Sequence, residues 1–104
     1  MKIVAVTACP TGIAHTYMAQ EAIEKECKKR GYKVKVETQG SMGIENELEQ
    51  EEIDEADVVI LAIAIGIDGE ERFEAKMEEG KLIQLDPGQV LKNPADIIDK
   101  AENL

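Results

Sequence analysis

The sequence predicts an α/β fold: a mostly parallel sheet, open and doubly wound, with helices on both faces. Three observations carry that expectation. Short apolar runs alternate with longer amphipathic ones, the pattern of successive βα units. Two of these runs, Ile3 to Thr7 and Val58 to Ala64, are almost continuously apolar, as central strands buried on both faces must be. A third run alternates Tyr32, Val34 and Val36 with Lys33, Lys35 and Glu37, which leaves one side polar and places the strand at an edge.

Taken in order, the first strand (Ile3 to Thr7) leads through a tight loop into a helix expected over Ile13 to Arg30. Met18, Ala19, Ala22, Ile23 and Cys27 recur there at three- and four-residue steps and predict a buried stripe. Lys28, Lys29 and Arg30 complement the negative end of the helix dipole, and Gly31 stops the helix. The edge strand Tyr32 to Glu37 follows. Leu48, Ile53 and Ala56 then predict one or two short acidic helical turns before the third strand at Val58. Lys81 to Leu85 is the fourth strand and the other edge. Asn93 before Pro94 reads as an N-cap and first helical position, and Ile97, Ile98 and Ala101 give the closing helix its apolar face.

A length of 104 residues fits a single domain, 1–104, around one sheet. Twelve basic against 22 acidic residues give a formal charge of −10, which repels nucleic acid and anionic lipid. Ile3 to Ala8 is too short to span a membrane and lacks the layout of a secretory signal, so the expectation is a cytoplasmic chain without direct membrane insertion. Two cysteines in unlike settings suit a reducing compartment better than a disulfide framework. One histidine and two distant cysteines match no zinc spacing, so no metal is expected. The first loop lacks Gly-x-Gly-x-x-Gly, so no dinucleotide or other cofactor is expected either.

The chemistry concentrates in Cys9-Pro10-Thr11-Gly12-Ile13-Ala14-His15-Thr16, between a strand end and a helix start. Amides in the first turn of a helix lack intrahelical partners, and the dipole adds about half a positive charge there. An anion is stabilised at such a place, and so is a thiolate, which draws the Cys9 pKa below its ordinary value of about 8.5 and sharpens it as a nucleophile. Gly12 permits close approach of backbone to ligand, and Pro10 restrains the loop. Six residues after the cysteine, where cysteine-dependent phosphatases carry arginine, stands His15. Histidine offers one titratable donor in place of a two-pronged grip, which favours handing a phosphoryl group onward over hydrolysing it. Thr11, His15 and Thr16 each serve either the phosphate or local capping and hydrogen bonding in the first turn. Cys27, in the apolar stripe, belongs to the core. Two other readings of the same loop stay open: a low-molecular-weight cysteine phosphatase-like hydrolase, and a non-catalytic anion-binding regulatory module.

From Cys9 to Ala19 the chain resembles the IIB component of the fructose-type phosphoenolpyruvate-dependent sugar phosphotransferase system. Val36-Glu37-Thr38-Gln39-Gly40-Ser41, Ala56-Asp57-Val58-Val59-Ile60 and Arg72-Phe73 extend the likeness over roughly the whole chain. The resemblance implies a four-stranded parallel sheet in order 2-1-3-4, with the active loop at a topological switch point. It implies that Cys9 takes a phosphoryl group from a phosphohistidine of the IIA component and gives it to a sugar, usually fructose, presented by the membrane-embedded IIC component. Pro10 to Thr16 would then bind the phosphate, and Gln39, Gly40 and Ser41 would form the far wall. The chain departs from the family pattern at Ala64-Ile65-Gly66-Ile67 and at Glu74-Ala75-Lys76, on the side facing partners, which bears on sugar and partner identity.

Overall fold

The computed structural model describes residues 1–8, 13–40 and 43–104, with side chains for all of these except 13–15. At the centre of the sheet lies β1 (Lys2–Ala8). On one side β2 (Lys33–Gly40) pairs with it in parallel, from Lys2 opposite Lys33 to Ala8 opposite Gln39. On the other side β4 (Val58–Ile63) does the same, from Ile3 opposite Val58 to Ala8 opposite Ile63. Beyond β4 runs β5 (Leu82–Leu85), again parallel. These four strands stand in the order expected of the first, second, third and fourth parallel strands, with the two apolar ones inside.

The sheet is nevertheless five-stranded and mixed, which corrects the expectation of four parallel strands alone. A short strand, β3 (Gly43–Glu45), runs antiparallel to β2, with Thr38 opposite Glu45 and Gly40 opposite Gly43. Gly43 has φ 91°, a conformation costly to any residue with a Cβ. Three exposed residues carry no hydrophobic alternation, so nothing in the sequence marks this strand. Only the last three residues of β2 are covered by it.

Helix α1 (Ile13–Lys29) ends as a Schellman motif: Gly31 has φ 76°, its N–H donates to the Lys28 carbonyl, and the Tyr32 N–H donates to the Cys27 carbonyl at 2.9 Å. With α4 (Pro87–Lys92) and α5 (Pro94–Glu102) it covers one face of the sheet. There Ile3, Ala5, Val36 and Ile60 pack with Ala19, Ile23, Cys27, Val90 and Ile98. On the opposite face Val4, Val6, Val59 and Leu61 pack with Leu48, with Ile53 of α2 (Gln50–Glu55), and with Phe73. Phe73 closes a 3-10 turn over Glu70–Phe73, which continues into α3 (Glu74–Glu78).

Two further expectations need correction, and two helices go unmarked in the sequence reading. Met18 is 50% exposed; the buried row of α1 is Thr16, Ala19, Ile23 and Cys27, and Met18 sits one residue, about 100°, off it. The helices α3 and α4 were not anticipated, although Asp86-Pro87-Gly88-Gln89 is a capping box with proline at the first position. Glu37, assigned to the polar side of an edge strand, is fully buried, because the Leu48 segment and Arg72 close over that end of β2.

Candidate active site

The strand order switches at β1. Its continuation enters α1 on one face, whereas the continuation of β4 passes to the 3-10 turn on the other. That switch point lies at the carboxyl ends of β1 and β4, where open α/β sheets place their ligands. The ladder runs to that edge, with the Ala64 N–H donating to the Ala8 carbonyl at 3.0 Å. From Ala8 the chain has only residues 9–12 in which to reach Ile13, the start of α1.

The sequence-predicted residues Cys9, Pro10, Thr11, Gly12 and Ser41 lie outside the described residues, as do the side chains of Ile13, Ala14 and His15. The backbone from Ile13 onward is helical, and the first turn of α1 contains no acidic residue. Although the chain carries 22 acidic residues, none precedes Glu21. The anode of the longest helix is thereby left without a carboxylate of its own segment to neutralise it. Thr16 is buried, on the sheet-facing row of α1.

The start of α1 is tied sideways to β3, since the Tyr17 hydroxyl donates to Glu45. That hydrogen bond to Glu45 holds the Tyr17 phenol above its ordinary pKa. The Thr38 hydroxyl lies near enough to the phenol oxygen to pull the other way, without the geometry of a completed hydrogen bond.

Beside the end of β1, the end of β2 is locked by Arg72. Its Nη1 and Nη2 donate to the two carboxylate oxygens of Glu37 at 2.8 and 3.0 Å. The remaining guanidinium N–H groups reach the carbonyls of Gly69 at 2.8 Å, Leu48 at 2.6 Å and Asp68 at 3.1 Å. All five donors are engaged. Glu37 also accepts from the Leu48 N–H at 2.8 Å. Burial pushes the Glu37 carboxyl up, but the Arg72, Leu48 and Gln39 hydrogen bonds outweigh it and leave the carboxyl below the usual range. Gly69, at φ 72°, sits so close that a Cβ there would lie 2.5 Å from Arg72 Nε.

Gln39, predicted as part of the far wall, joins this network. Its amide nitrogen donates to Glu37 at 2.6 Å and to the Asp68 carbonyl at 3.0 Å, and its oxygen accepts from the Asp68 N–H at 2.8 Å. The side chain thus clasps the segment that follows β4 to the end of β2. Gly40 ends β2 opposite Gly43. Sequence reasoning missed the Glu37–Arg72 couple as a unit, because the partners stand 35 residues apart. It also missed Thr7 and Thr38, both buried at the same sheet edge. Among the described residues, no helix is long and apolar enough to cross a membrane.

With this geometry the comparisons with known proteins agree. Residues 4–100 match the family model described as "PTS system, Lactose/Cellobiose specific IIB subunit". The chain is 50% identical over 101 residues to the "PTS system fructose-like EIIB component 2" of Escherichia coli (strain K12), covering 97% of this chain and 92% of that protein. It is also 50% identical over 100 residues to the "PTS system fructose-specific EIIB'BC component" of the same organism, covering 96% of this chain but 17% of that longer protein. Among solved structures, a domain from the fructose-specific iiabc component of Borrelia burgdorferi superposes with a TM-score of 0.88 at 52% identity, covering 98% of this chain and 93% of that one. A domain of fruA from Bacillus subtilis gives 0.83 at 40% identity, with 99% and 94% covered.

Proposed function

Because the chain belongs to the IIB family of the sugar phosphotransferase system, we propose that Cys9 carries a phosphoryl group from the IIA component to a sugar held by the membrane IIC component. The Cys9 thiolate attacks phosphorus, the P–N bond to the IIA histidine breaks, and the imidazole leaves with the electron pair. In the second half, a primary hydroxyl of the sugar attacks phosphorus, the S–P bond breaks, and the thiolate returns as the hydroxyl proton is released. Positioning and electrostatic stabilisation do most of the work in such transfers.

The observation that carries this reading is the junction of β1 and α1. A central strand ends one residue before Cys9, and a 17-residue helix without an acid in its first turn begins at Ile13. That arrangement offers unpaired amides and the dipole's positive end to a phosphoryl group on the intervening segment. Amides from Pro10 to Thr16, proline excepted, and the side chains of His15 and Thr16 are assigned to the phosphate, with Gln39, Gly40 and Ser41 as the opposite wall. The relatives' names favour fructose or a fructose-like sugar over the sugars in the family model's description. We further read residues 1–104 as one domain, since both core layers share one sheet. The domain would work in the cytoplasm, meeting the membrane through IIC.

The test is sugar phosphorylation in membranes that contain IIC, supplied with phosphorylated IIA. Cys9→Ser should abolish it. Survival of transfer in that variant would contradict the proposal and favour an anion-binding module, whereas Cys9-dependent turnover of an aryl phosphate with no transfer to sugar would favour a hydrolase.

A further inference from the structure

The chain that leaves β4 forms an arch with both feet pinned. At one foot the Ala64 N–H donates to the Ala8 carbonyl, at the end of β1. At the other the Gln39 side chain takes the N–H and the carbonyl of Asp68 together, as a paired residue of an antiparallel strand would. Ile67 packs on the core beside that foot. Ala64, Ile65 and Gly66 stand exposed, with Ile65 at 42%. From Ala62 to Ile67 no residue is charged, in a chain of formal charge −10. A second isoleucine belongs to the same place. Ile44, 41% exposed, lies opposite Gln39 in the β2–β3 ladder, so the two side chains share a face.

Single exposed isoleucines are common on protein surfaces and need no explanation. Here a neighbouring residue is committed to fixing the loop that carries one. Both Gln39 amide hydrogens are engaged, one by Glu37 and one by the Asp68 carbonyl, and the Gln39 oxygen accepts from the Asp68 N–H. Glu37 is held in turn by Arg72, which also takes the Asp68 carbonyl at 3.1 Å. A loop with glycine at 66 and 69 would otherwise lose much conformational freedom on meeting a partner. Pinned beforehand, it presents Ile65 with that entropy already lost. An apolar side chain satisfies neither a phosphate nor a sugar hydroxyl; it fits the apolar surface of another protein. Of the two partner proteins, the phosphoryl donor has the greater need of such a contact. It brings an anionic group to a strongly acidic chain and is opposed by charge, whereas the sugar acceptor is neutral.

We infer that Ile65 and Ile44 are apolar anchors for the IIA component, and that Gln39 is the positioning residue that holds the Ala64–Asp68 arch ready for it. The inference rests on the phosphocarrier reading. Gln39 serves the wall of the site through the arch: with both amide hydrogens engaged, it does not touch the phosphoryl group.

The test measures phosphoryl acceptance by the full chain over a range of concentrations of phosphorylated IIA, with thermal stability and the pH midpoint for alkylation of Cys9 by iodoacetamide read in parallel. Ile65→Ser and Ile44→Ser should each raise KM for phosphorylated IIA about tenfold, the worth of burying most of an isoleucine side chain, while kcat, stability and the Cys9 midpoint hold. Gln39→Ala should raise KM as well, yet add less than about twofold in the Ile65→Ser background, because it acts through the arch. If Gln39→Ala fails to fold, the two exposed isoleucines carry the test. An unchanged KM in both isoleucine variants would overturn the inference alone. So would a loss confined to transfer from the phosphorylated chain to sugar on IIC membranes, which would assign the arch to IIC. Effects of Gln39→Ala and Ile65→Ser on KM that multiply in full would overturn the positioning role. A wild-type chain that accepts no phosphoryl group would overturn the functional reading and the inference with it.

Discussion

Glu37 and Arg72 meet through both carboxylate oxygens and both terminal guanidinium nitrogens, and the Glu37 side chain is fully buried. The pair joins the end of β2 to the 3-10 turn, and through Arg72 it also holds the carbonyls of Leu48, Asp68 and Gly69. Its Arg72 group stacks over Phe73, 5.1 Å from the ring centre. One ion pair thus links the end of β2 to the core layer that Phe73 anchors.

Removing one partner should leave a buried charge uncompensated. Arg72→Met is expected to cost about 3–5 kcal/mol, whereas the double variant Glu37→Leu with Arg72→Met should cost less than the sum of the two single changes. Urea unfolding of the three variants checks this, and strict additivity would show that the pair is not coupled.

The same pair predicts a pH dependence. Glu37 is held below its ordinary carboxylate value in the folded chain, so its contribution is present above the unfolded value of about 4.3 and is lost as pH falls through the folded one. The urea midpoint should therefore drop on acidification through the range below about pH 5, and the drop should be shallower in Glu37→Gln. Parallel curves for wild type and variant would count against the assignment.

Cys27 offers an internal contrast to Cys9. Burial in the apolar row of α1, with Glu26 beside it, pushes the Cys27 thiol up to about 11, and Arg30 opposes this only in part. The folded chain keeps the proton, so the stabilisation is present below the unfolded value of about 8.5 and is lost as pH rises through the folded one. At neutral pH, iodoacetamide should leave Cys27 untouched in the native protein and modify it once urea unfolds the chain. Peptide mapping distinguishes the two cysteines, and rapid native modification of Cys27 would contradict its placement.

The parts of the fold that were legible are those where one periodicity dominates. The apolar runs of β1 and β4, the row ending in Cys27, and Asn93-Pro94 at the start of α5 each declare themselves locally. β3 was silent because three exposed residues hold no pattern, and α4 was overlooked although its capping box stands in the sequence. Glu37 shows the limit of strand alternation. Lys33, Lys35 and Glu37 share one side of β2, yet burial rises along them until Glu37 is fully covered. Alternation identifies the side, while the Arg72 that closes over its end comes from a turn far along the chain. At the site, the strand that ends at Ala8 and the helix that starts at Ile13 were readable, but Thr7, Thr16 and Thr38, the threonines at the ends of three apolar rows, required the register of β1 with β2 to be recognised as neighbours.

The most direct measurement is the position of phosphate after incubation with phosphorylated IIA, read by mass spectrometry of peptides kept under conditions that preserve a thiophosphate ester. The account predicts a single phosphoryl group on Cys9, lost on addition of sugar and IIC membranes. Phosphate on any other residue, or on none, would contradict it.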